Sequence, residues 1–110
     1  MPLLIVFGAN WCEDCRALDG ALRKEPAAGL VAKSFQVVNV DVGEFDRNLD
    51  VSEAFGNPIK GGIPAAVFVA ENGNVLYSTK AGELANARNL RDATIYDFFK
   101  QASGSFAGAH

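Results

Sequence analysis

The chain has 110 residues, 49% of them apolar and 21% charged, with a net charge of −3. That is enough for one domain with a single core, and the acidic balance removes any electrostatic reason to expect nucleic acid or an anionic membrane as partner. The apolar run near the start ends at Phe7, too short to span a bilayer, and it lacks the basic flank and length of a signal peptide.

Leu3 to Phe7 shows no polar alternation, which predicts a strand buried on both faces of a sheet. Gly8-Ala9-Asn10 turns the chain into Trp11-Cys12-Glu13-Asp14-Cys15, which holds both cysteines of the protein. Trp11, Cys15, Leu18 and Leu22 fall at i, i+4, i+7 and i+11, the stripe of a helix, and Asp19 with Arg23 makes an i,i+4 pair on another face. Pro26 ends or kinks this helix, and Ala27 to Lys33 continues it with Leu30 and Val31 turned inward.

The position of the two cysteines has chemical consequences. A thiol at a helix N-terminus meets unpaired amide groups whose partial positive charge favours thiolate over thiol. A second thiol at i+3 lies on the same face, within reach of a disulfide. One can attack and the other resolve, so Cys12 and Cys15 read as a redox pair. The alternative is half of a zinc site, but zinc takes about four ligands, and the single histidine, His110, sits at the end of the chain. Two thiolates could also hold Cu(I), a soft cation.

Phe35 to Val42 is the second predicted strand, again mostly apolar. Asp46 is the expected N-cap of a short helix through Phe55, with Leu49, Val51, Ala54 and Phe55 on its buried side and Gly56 and Pro58 stopping it. Phe45 and Phe55 read as core. The loop to Gly62 leads into Ile63-Pro64. Ala65 to Ala70 and Val75 to Lys80 flank Asn72-Gly73, a strong hairpin signal. Residues 83–92 read as a polar connection, with Arg88 and Arg91 on a solvated face. Thr94 and Asp97 resemble a capping box for a last helix that buries Ile95, Phe98, Phe99 and Ala102. Residues 1–103 form the domain and 104–110 a tail, in which His110 has no role. The order is β-α-β-α-β-β-α, a mixed sheet with helices on both faces.

Taken together, Trp11-Cys12-x-x-Cys15 after the first strand, Gly62-Ile63-Pro64 before the third, Asn72-Gly73 and Gly82 resemble the thioredoxin superfamily. The likeness is to small bacterial thioredoxin-like proteins described as disulfide isomerases or thiol-disulfide interchange proteins. The resemblance spans about residues 3 to 102 and is more specific than a lone Cys-x-x-Cys. It implies an α/β thioredoxin-like fold with a mixed four-stranded sheet, lacking thioredoxin's first strand and helix. It also implies that Cys12 is the nucleophile, Cys15 the resolving thiol, and Ile63-Pro64 a cis-proline turn facing the dithiol. The Ile63 backbone would then pair with an extended substrate, and Trp11 would flank the site. Otherwise Trp11 is core, and Pro64 a trans proline at a strand start.

Three departures accompany the resemblance. Glu13-Asp14 replaces the usual Gly-Pro between the cysteines. The buried acid of the first thioredoxin strand maps to Val6 and its lysine partner to Val37, so the usual route for deprotonating the resolving thiol is absent, with Asp41 as an alternative acceptor. The third departure is the missing first strand and helix. Glu13 and Asp14 tune the dithiol in this reading: a carboxylate near Cys12 opposes its thiolate, although first-turn acids are themselves favoured by the helix dipole. A less stabilised thiolate favours the disulfide, placing the site nearer a reductant or isomerase than a strong oxidant.

The expected function is thiol-disulfide exchange on protein or peptide disulfides, with no cofactor and no metal, and with a redox partner that resets the dithiol. The alternatives are an electron relay to one partner domain and a Cu(I)-binding module. A monomer is expected. The resemblance favours the periplasm, with the cytoplasm as the alternative.

Overall fold

A computed structural model describes residues 1–106, with side-chain surroundings described through residue 104. Four strands form one sheet: β1 (Leu3–Gly8), β2 (Gln36–Asp41), β3 (Ala65–Val69) and β4 (Val75–Ser78). Their order across the sheet is β2-β1-β3-β4, with β2 parallel to β1 and the other pairs antiparallel. The helices are α1 (Glu13–Leu22), α2 (Ala27–Ser34), α3 (Leu49–Ala54) and α4 (Asp92–Phe106). Short 3-10 turns at Pro58–Gly61 and Ala87–Asn89 complete the described elements.

β1 lies inside the sheet, and its alternate residues divide between two apolar layers. Leu4 joins Leu18, Val31, Phe35, Ala66, Phe68, Ile95 and Phe99, beneath α1, α2 and α4. Ile5 and Phe7 join Val42, Ile63, Ala65 and Val67, against Val51, Phe55 and Ile59 on the other face. This is the period-two alternation of a central strand feeding two cores. Phe68 anchors the first layer, with its ring 5.2 Å from Phe35 and 6.0 Å from Phe99 between centroids. Full burial of such a side chain contributes about 1.5–3 kcal/mol.

Several expectations change in three dimensions. Pro26 follows the end of the first helix, in keeping with one of its two readings, but Ala27–Ser34 is a separate helix, α2, and not a continuation of α1; the Glu25–Pro26 peptide is cis. β2, whose valines read as buried in sequence, is an edge strand whose Val37 and Val38 stay about 40% exposed. The short helix is rotated from its predicted face. Ser52 is its fully buried residue, while Leu49 and Ala54 face solvent and Val51 and Phe55 are half-buried. Its N-cap is Asn48, in the left-handed region, and Asp46 instead accepts the Glu44 amide within the preceding loop. The last helix starts at Asp92, so Thr94 is interior to it rather than capping it.

α4 continues through Phe106, past the expected end of the domain, and residues 107–110, His110 among them, lie outside the described residues. The connection at 83–92 contributes Leu84 and Ala87 to the core, each 1% exposed. The hairpin turns at Gly73, with φ +92°, where a glycine is favoured. No helix among the described residues is long and apolar enough to cross a membrane.

Candidate active site

β1 ends at Gly8, and the chain turns through Ala9 and Asn10 so that α1 begins immediately beyond Cys12. Cys12 is the N-cap of α1, with extended backbone, and its sulfur accepts the Cys15 amide at 3.1 Å. Ordinarily a Ser, Thr, Asp or Asn oxygen fills this role. Here a thiol does, which places a sulfur where the orphan amides and the helix dipole favour negative charge. The Cys12 carbonyl accepts the Arg16 amide at 3.1 Å as the helix starts. Both thiols are free.

The two sulfurs face different surroundings. Cys12, 5% exposed, packs in the second core layer with Val42 and Ile63, and its thiol donates a long hydrogen bond of 3.6 Å to the Ile63 carbonyl. The Ile63–Pro64 peptide is cis, and both side chains are buried, so this turn meets the dithiol through backbone. Cys15 is half-buried and borders a cavity of about 550 Å³ between α1 and the β1–β2 face, which also reaches Pro64. A Cβ on Gly8 would stand 3.2 Å from the Cys15 sulfur, so the absent side chain leaves room for that thiol. Burial pushes the Cys15 thiol up to about 12, reinforced by its hydrogen bond to Cys12 and the nearby charges of Cys12 and Asp14, against an opposing backbone hydrogen bond at Ala9.

The more open sulfur, Cys15, holds its proton, and the more enclosed one, Cys12, sits at the helix terminus. Val6 and Val37 both line the cavity beside Cys15, where they add apolar wall and no titratable group. Asp41 borders the same cavity, but its carboxylate accepts the Gly43 amide at 2.8 Å and lies 3.9 Å from Arg47. It holds the loop after β2 and makes no hydrogen bond to Cys15.

Trp11 precedes α1 and does not join its buried stripe. It is 53% exposed, and its indole N–H donates to the Gly43 carbonyl at 2.7 Å. Phe45, expected in the core, stands 45% exposed instead, edge-on to Trp11 with centroids 6.0 Å apart. Its backbone is left-handed, φ +64°, which turns the ring out of the loop toward the indole. The two rings thus form an exposed aromatic rim at the residue that precedes the buried Cys12.

The two acids between the cysteines are not simply solvated. Arg88, expected on a solvated face, donates from Nη1 to Glu13 Oε2 at 2.6 Å, and its backbone N–H donates to Asp14 Oδ1 at 3.0 Å. The guanidinium Nε lies 3.8 Å from the same Asp14 oxygen. No local signal could have located this partner, because 74 residues separate it from Asp14. Among the described residues no group of three or more His, Cys, Asp or Glu side chains is close enough to hold a metal ion.

Comparison with known proteins places this geometry. Residues 1–70 match the family model described as thioredoxin-like. A crystal structure of a disulphide isomerase from Xylella fastidiosa Temecula1 is 59% identical and superposes with a TM-score of 0.91, covering 93% of this chain and 78% of that one. A thioredoxin from Thermus thermophilus, solved in solution, shares the fold at 18% identity and a TM-score of 0.67, over 98% of this chain and 77% of that one. No curated protein sequence matches the chain. Identity at 59% over nearly the whole chain, joined to the family match, makes this protein a member of the thioredoxin-like family.

Proposed function

We propose that the protein is a thiol-disulfide oxidoreductase acting on protein or peptide disulfides as a reductase or isomerase. The observation that carries this reading is the asymmetry of the pair. Cys12 caps α1 and receives an amide N–H, while Cys15 keeps its proton to about pH 12. Only a thiolate attacks a disulfide at a useful rate, so this division separates attacker from resolver before substrate arrives. The relative from Xylella, described as a disulphide isomerase, supports the same chemistry.

The exchange follows from these positions. Cys12 thiolate attacks one sulfur of the substrate disulfide in line with the breaking bond. A Cys12–substrate disulfide forms, and the first substrate sulfur leaves as thiolate. Cys15 then loses its proton and attacks the Cys12 sulfur. The Cys12–Cys15 disulfide forms, the second substrate thiolate departs, and two electrons have passed to the substrate. An external dithiol restores the reduced pair by the reverse exchange. The Ile63 carbonyl beside Cys12 and the Trp11–Phe45 rim supply backbone and apolar contacts for an extended segment. The raised Cys15 pKa makes resolution the slower half-reaction, which gives a mixed disulfide time to rearrange, as isomerisation requires.

The test is the equilibrium of Cys12–Cys15 with glutathione and dithiothreitol buffers, together with insulin reduction. The expected potential lies between about −270 mV and −180 mV, the range from thioredoxin to protein disulfide isomerase. A potential near −120 mV, typical of a dedicated oxidase, would refute the reductase or isomerase assignment. Failure of the disulfide to form would refute exchange altogether.

A further inference from the structure

The segment between β4 and α4 touches both halves of the site. On one side it packs backbone against backbone: a Cβ on Gly61 would come 2.6 Å from the Gly82 nitrogen, and one on Gly62 would come 2.9 Å from Ala85 Cβ. Those two glycines lead directly into Ile63-Pro64. Leu84 and Ala87 fix the segment in the core. On the other side Arg88 reaches the first turn of α1, where it bonds Glu13 through its side chain and Asp14 through its backbone.

Charged and titratable groups around the dithiol come from three elements. From α1 come Glu13, Asp14, the neutral Cys15 thiol and Arg16, whose guanidinium is bound to the Asn10 carbonyl at 2.5 Å. From the end of β2 comes Asp41, held by the Gly43 amide. From the 3-10 turn comes Arg88. Unopposed, two carboxylates beside a thiolate disfavour it. A guanidinium lying across both of them restores the balance and adds its own attraction for the sulfur. The Arg88 guanidinium is itself held charged above its ordinary range, first by its hydrogen bond to Glu13 and then by the charges of Asp14, Glu13 and Cys12.

We propose that Arg88 is a positioning residue of the dithiol: it spans Glu13 and Asp14, cancels their field at Cys12, and so sets the nucleophile's reactivity and the redox balance of the pair. This deepens the thiol-disulfide reading and rests on it. The backbone tether to Asp14 and the glycine contacts survive loss of the side chain, so the electrostatic role separates from the structural one.

The experiment compares Arg88→Met and Arg88→Lys in the full chain. Alkylation of Cys12 by iodoacetamide is read in a Cys15→Ser background at pH 7 and low salt. Removing the cation slows alkylation roughly threefold, the scale of one exposed unit charge at this range. With both cysteines present, R88M shifts the dithiothreitol equilibrium roughly threefold toward the protein disulfide, about 14 mV for a two-electron couple. R88K retains most of the wild-type rate, and high salt removes most of the difference between R88M and wild type. Glu13→Gln with Asp14→Asn moves both readouts the opposite way, and decides the matter if R88M does not fold. Unchanged alkylation and equilibrium in R88M, with only its melting temperature lowered, would overturn the proposal in favour of a structural ion pair. Absence of insulin turnover by the wild type would defeat the exchange reading instead, while the alkylation comparison would still stand.

Discussion

The two sides of the cysteine pair are built from different materials, and the contrast explains how one short motif can hold two unlike thiols. On the Cys12 side, the sulfur is buried at the N-terminus of α1, where it accepts the Cys15 amide and lies beside the Ile63 carbonyl, with the exposed Trp11 just before it in the chain. On the Cys15 side, the sulfur borders a sizeable cavity but has apolar Val6 and Val37 where a proton acceptor could have stood. In the proposed exchange the less open of the two sulfurs is the attacker. What counts at each sulfur is the balance between loss of solvation and the backbone hydrogen bonds that offset it, and at Cys15 the loss of solvation wins over the hydrogen bond at Ala9.

The largest test of this contrast exchanges each sulfur for oxygen in turn. Cys12→Ser is expected to abolish insulin reduction. Cys15→Ser should preserve the first attack and accumulate a mixed disulfide, visible as a mass adduct of the substrate thiol. If the Cys12→Ser variant instead forms that adduct through Cys15, the assignment of attacker and resolver is reversed.

A smaller effect is expected from crowding the Cys15 side alone. Gly8→Ala puts a methyl group 3.2 Å from the Cys15 sulfur, tight enough to require a shift of the thiol. Resolution of a glutathione adduct on Cys12 should slow by about tenfold, in line with overpacking costs of about 1–3 kcal/mol, while the first attack changes little. Equal slowing of both steps would mean that the two sides are not independent.

The smallest effect is on stability against pH. The folded chain holds the Cys15 proton to about pH 12 instead of about 9. Between those values the unfolded chain releases a proton that the folded one keeps. Stability of the reduced protein is therefore fully present below about pH 9 and falls as pH rises through the window. The slope is below about 1.4 kcal/mol per pH unit, reduced further because the group is partly exposed. Urea midpoints at pH 7 and pH 10 should fall more for the reduced wild type than for Cys15→Ser, in which tyrosines and lysines titrate alike. Equal falls in both would show that Cys15 is no harder to ionise folded than unfolded.

Much of this was written locally. The unbroken apolar run of β1, the Asn72-Gly73 turn and the Cys-x-x-Cys at a strand-to-helix junction each depend on neighbours within a few residues. Hydrophobic periodicity and turn chemistry therefore determined the order of elements, the α/β class and the two sulfurs. Burial in β2 was not legible in the same way. Gln36–Asp41 mixes three valines with polar residues, yet even its Val37 and Val38 stand exposed at an edge, whereas the all-apolar Ala65–Val69 is wholly buried. Strand order decides that, and strand order is a long-range property.

The same limit explains the rest of the site. Phe45 reads as core by composition, but a left-handed loop residue turns it outward onto Trp11. Arg88 reads as a solvated charge because its two acids lie at the far end of the sequence. Gly8 reads as a turn residue until α1 brings Cys15 over it. Sequence by itself determined which atoms could do redox chemistry, since reactivity begins with a thiol and its place on a helix. Only the tertiary structure decided how those thiols differ, because desolvation and ion pairing depend on what the fold brings within a few ångströms.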